Sequence, residues 1–83
     1  MNYSEIKMLV LLEILAPEDG IDRYGITDSL REEMMNMIRN KRSMTDVLRL
    51  LPESENKNKM LSLAEVIDNE VEKEDNQTEQ EEV

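Results

Sequence analysis

Eighty-three residues, a net charge of −10, and no cysteine or histidine allow one small domain without disulfide, thiolate or imidazole chemistry. A unit of this size buries a low fraction of its surface, so a partner or second subunit is the expected source of added stability. The charge is unevenly placed: residues 1–52 hold nine acids and seven bases, whereas residues 53–83 hold eleven acids and three bases. A near-neutral N-terminal part with an acidic appendage leaves nucleic acid open as a partner.

In chain order, Asn2 followed by Glu5 reads as a capping box opening a first helix, with Met1 and Ile6 at staple positions. From Ile6 to Leu15 apolar residues nearly encircle that helix, so it is expected to be buried on more than one side, centrally or at a dimer interface. The run Met8 to Leu12 is broken by Glu13 and is too short to span a bilayer. With no recognisable signal peptide and no cysteine, the expected location is cytoplasmic, without a membrane partner.

Pro17 and Gly20 close the first helix, and Ile21 to Ile26 forms a short extended link or β-bridge. Thr27, Asp28 or Ser29 caps a second helix reaching about Arg39, with Leu30, Met34, Met37 and Ile38 on one face. Asn40 is suited to ending it in the left-handed conformation. Ser43 or Thr45 starts a short third helix with Met44, Val47, Leu48 and Leu51 inward, and Pro52 stops it. Residues 53–59 read as a polar loop. The segment 60–67 fits a fourth helix or a strand, because short apolar runs do not separate the two. From Asp68 onward eight acids face Lys73 alone, a composition that predicts disorder from the low seventies.

The fold expected is mainly α, a three- to four-helix domain over residues 1–71 with a helix-turn-helix, its variant being a reduced winged helix, and a disordered acidic tail over 72–83. Catalysis lacks its parts: no imidazole, no nucleophile elbow, and only two glycines for a phosphate cradle. No enzyme activity, cofactor or metal is therefore expected. The acids Glu18, Asp19 and Asp22 lack the spacing of a calcium loop and read as a solvated turn.

Two features point to binding. A helix, a turn of Asn40 to Ser43 and a second short helix is the layout that places a recognition helix in the major groove. Arg42, Thr45, Asp46 and Arg49 fall on its outer stripe. Residues 39–59 hold six bases against three acids, so Arg39, Lys41, Lys57 and Lys59 join Arg42, Thr45 and Arg49 as candidate DNA contacts. The second feature is the methionine cluster Met34, Met35 and Met37, a flexible apolar surface suited to a protein partner, with core filling by Met34 and Met37 as the plainer reading.

The run LLEILAPEDGIDRYGITDSLREEM, with its Tyr24-Gly25 pair, resembles the start of winged-helix regulators of the PadR type. SMTDVLRLL resembles their recognition helix and NKMLSLAEV their last wing strand, so the likeness extends over residues 5–67. Two departures stand out: the second helix is long for this motif, and Pro52 to Lys59 leaves little room for a first wing strand. The resemblance implies a dimeric DNA-binding transcriptional regulator with Arg42, Thr45 and Arg49 facing bases. The alternative is an acidic adaptor or inhibitor that binds a protein of a nucleic-acid-handling machine through the methionine helix or the acidic tail.

Overall fold

A computed structural model of the chain describes the backbone of residues 1–82 and the side chains of residues 1–75. It contains four helices and, among the described residues, no strand: α1 (Tyr3–Leu15), α2 (Asp28–Arg39), α3 (Met44–Leu48) and α4 (Glu55–Glu82). The expected helical domain is therefore present, and residues 60–67, the segment likened to a wing strand, are helical.

Each helix starts where a short polar side chain satisfies an orphan amide. Asn2 accepts from the Glu5 N–H, Thr27 from Leu30, Ser43 from Asp46 and Ser54 from Lys57. The cap of α2 is thus Thr27, not Ser29, and Met1 stays exposed instead of stapling to Ile6. At the end of α2 the Arg42 N–H donates to the Met37 carbonyl and the Lys41 N–H to the Ile38 carbonyl. This is a Schellman closure, and the residue that must turn left-handed in it is the one after the cap. Lys41 takes that role at φ 57°, while Asn40 remains at φ −86°, correcting the assignment of the left-handed position to Asn40.

The expected loop over 53–59 is mostly the first turn and a half of α4. Ser54 caps it, Glu55 supplies the favourable first-turn acid, and Lys57 occupies a buried position where an apolar residue would have revealed the period. Along α4, Lys57, Leu61, Ala64, Asp68 and Val71 follow one inward-leaning stripe at helical spacing, and Ala64 and Ile67 are fully or nearly buried.

α4 packs against α3 and α1, and α2 packs against α3. The core sits between them: Leu11, Ile14 and Leu15 from α1, Met34 from α2, then Met44, Val47, Leu48 and Leu51 from α3 and the turn after it. All four residues expected to face inward from α3 do so. Helix α4 continues without a break across the expected domain limit at residue 71, and Glu74 accepts the Tyr3 N–H at 2.8 Å. Residues 72–75 thus extend the helix, while the rest of the expected tail, 76–83, lies outside the fully described residues.

Candidate functional site

The outer stripe of α3 is occupied by its own molecule. The Asp68 carboxylate of α4 accepts the Met44 and Thr45 amides, each at 2.9 Å, and the Thr45 hydroxyl at 2.7 Å. An anion therefore already sits at the positive end of α3, where the N-terminal residues of a recognition helix would approach a phosphate or a base. Arg42 donates to Asp46 from both Nε and Nη2, and Arg49 lies 3.7 Å from the same carboxylate. Both arginines are exposed, with Asp46 half-buried between them.

Lys57, expected at a phosphate, is 6% exposed. Its ammonium donates to the Arg49 carbonyl, the C-cap of α3, at 3.2 Å and to Glu53 at 2.7 Å. It acts as a C-terminal cap whose stem fills core volume. Arg31 does the same for α1, donating from Nε to the Leu15 carbonyl, and Lys7 donates to the Arg42 carbonyl in the turn before α3. Lys59 is exposed and lies 3.5 Å from Glu55. Of the candidate DNA contacts, Arg39 and Lys41 alone are cations outside every ion pair among the described residues, and Arg39 donates to Asn36.

The methionine cluster belongs to the core and its margin. Met34 is fully buried, and Met35 and Met37 are half-buried against the core. Met35, which is not among the core-filling residues expected from sequence, packs with the others.

The apolar surface lies instead on α1. The expectation of burial on more than one side is not met within this chain: Leu11, Ile14 and Leu15 face the core, while Met8, Leu9 and Leu12 are 41%, 53% and 42% exposed. Leu63 and Val66 of α4 and Ile21 of the turn are also exposed. A cavity of about 300 Å³ opens between α1, the turn and α4, lined by Leu9, Val10, Ile14, Ile21, Tyr24 and Met60. Pro17 completes its wall, and Glu13 and Arg23 are its charged members.

The turn bordering this slot is held by its acids. Asp22 accepts the amides of Tyr24, Gly25 and Ile26, which keep its carboxyl below the usual carboxylate range, the Tyr24 bond contributing most. Asp19 binds Arg23 through both oxygens, at 3.2 and 2.6 Å. That pairing first, and the Ile21 amide second, bring its pKa down to about 2, and the same contact raises that of Arg23. Asn56 of α4 donates to the Arg23 carbonyl, and the Glu18 amide donates to Glu13. Gly20 and Gly25, at φ 74° and 76°, supply the left-handed residues that let the chain fold back here.

These features define a small four-helix protein with an exposed apolar face and, among the described residues, no cluster of acidic side chains able to hold a metal ion. No helix of the described residues is long and apolar enough to cross a membrane. The chain matches no family model, no curated protein and no solved structure.

Proposed function

We propose that this chain is a protein-binding adaptor or inhibitor that engages its target through the exposed apolar face of α1. The observation carrying this reading is that Met8, Leu9 and Leu12 stand in solvent on a helix whose opposite side fills the core. Burying a large apolar side chain stabilises by about 1.5–3 kcal/mol. A domain with so small a core forgoes part of that at three adjacent positions, and a contiguous apolar face of this kind is the usual mark of a protein contact.

DNA binding through α3 has weaker support. The Thr45 hydroxyl and both first-turn amides are engaged by Asp68, Lys57 is internal, and Arg42 and Arg49 share Asp46. Presenting these groups to DNA requires breaking contacts within the protein, and Asp46 and Asp68 lie close to where phosphates would sit.

The test is affinity capture from nuclease-treated extract with the full chain and with Leu9→Glu/Leu12→Glu, followed by mass spectrometry. A discrete protein retained by the first and lost by the second, at unchanged helical circular dichroism, supports the proposal. Identical capture by both, or capture that is seen only when the nuclease treatment is omitted, overturns it.

A further inference from the structure

We propose that the slot between α1, the 17–24 turn and α4 receives a basic amphipathic segment of a partner protein, with one large apolar side chain of that segment entering the slot. The inference rests on the protein-binding reading and specifies what is bound. The size of the slot sets the first limit. About 300 Å³ is at the bottom of the range for ligand pockets, suited to a single anchoring side chain and smaller than an organic cofactor generally needs.

The chemistry of the slot sets the second limit. Its floor, from Val10, Ile14, Tyr24 and Met60, offers apolar contact, and exposed Leu9 and Ile21 stand at its edges. Glu13 and Arg23 are its charged lining residues, and the turn that supplies Ile21 and Tyr24 also carries Glu18, Asp19 and Asp22, with Arg23 already bound to Asp19. The border is thus net negative by three charges. An apolar anchor flanked by lysine or arginine complements it, and one flanked by acids is repelled.

The same charge argues against a second copy of this chain as the occupant. Two copies joined here would bring two net-negative borders within a Debye length of about 8 Å, which is unfavourable. The walls are also fixed in advance: Asp22 on three amides, Asp19 on Arg23, and Asn56 on the Arg23 carbonyl hold the turn in place. A preformed slot lowers the ordering cost of binding.

The experiment titrates the isotopically labelled full chain with a synthetic amphipathic leucine-lysine peptide bearing one phenylalanine on its apolar face, and with the same peptide carrying glutamate in place of lysine. The proposal predicts amide shifts at Leu9, Val10, Ile21, Tyr24 and Met60 with the lysine peptide alone. It also predicts roughly tenfold weaker binding in high salt and loss of binding in Ile21→Asp, with Arg49→Ala unchanged. Shifts centred on α3, equal binding of both peptides, or binding that survives Ile21→Asp overturns it. So does a chain that sediments as a dimer and is made monomeric by Ile21→Asp, which assigns the slot to a second copy. A partner captured from extract and lost in Leu9→Glu/Leu12→Glu, with no peptide binding, defeats this inference and leaves the protein-binding reading standing.

Discussion

Replacing Asp68 by alanine removes one carboxylate from three donors at once: the Met44 and Thr45 amides and the Thr45 hydroxyl. Loss of cap-type acceptance at a helix start costs about 0.5–2 kcal/mol. Loss of the anion at the positive end of α3 adds roughly 0.3–1 kcal/mol, and a half-buried hydroxyl left without a partner adds about 1–3 kcal/mol. These contributions overlap because they share one carboxylate, and Ser43 still caps Asp46, so the expected total is about 2–4 kcal/mol. Against a whole-domain stability of roughly 4–11 kcal/mol, that is a large fraction. Urea unfolding followed by circular dichroism should show the midpoint falling by about 2–4 M at a slope near 1 kcal/mol/M. Thr45→Val should cost about 1 kcal/mol alone and less in the Asp68→Ala background, giving a coupling of at least about 0.5 kcal/mol. An Asp68→Ala cost within about 0.5 kcal/mol of zero, the range of an ordinary surface change, would refute the docking of α3 on α4 and free Thr45 for another partner.

Further consequences concern other parts of the molecule. Lys41→Gly should stabilise the fold by up to about 1 kcal/mol, because glycine meets the left-handed conformation at φ 57° without the strain of a Cβ; a lower unfolding midpoint contradicts the Schellman closure. Lys57→Ala should destabilise by about 1–3 kcal/mol through lost stem packing and an uncapped Arg49 carbonyl, readable in the same urea assay, whereas a neutral result removes Lys57 from the interior. On acidification the Asp19–Arg23 contact should persist well below pH 3.8. Because the folded pKa is depressed to about 2, its contribution is complete above the ordinary value and is lost as pH falls through the folded one. An NMR titration of Asp19 with a midpoint at 3.8 contradicts the pairing.

Most of the fold is legible in the residues that announce helix ends. Asn2, Thr27 and Ser43 mark three starts, and the inward sets of α2 and α3 follow from period alone. Two elements are hidden for a physical reason. The start of α4 is masked because its first buried position is Lys57, whose stem packs like an apolar side chain while its head caps α3. The left-handed turn after α2 falls on lysine, a residue type that carries no such signal.

The candidate site is legible only in half. The apolar ring of α1 is visible in sequence and says that this helix needs a second surface, but not that the chain leaves that side in solvent. The basic excess over 39–59 is equally visible, but composition does not reveal that Arg42 and Arg49 share Asp46 or that Asp68 is docked on Thr45. Nothing local links Asp68 to Thr45, which are 23 residues apart. The slot depends on the fold-back of the turn through Asp22 and Gly25, which joins α1 to α4 in a way no periodicity encodes.

We propose that the outward face of α1, not α3, meets the target. The most direct test is site-specific photo-crosslinking in living cells, with a benzophenone side chain installed separately at Leu9 and at Arg49 of the full chain. A discrete protein adduct is expected from position 9 and none from position 49. A nucleic-acid adduct from position 49, with position 9 silent, would contradict it.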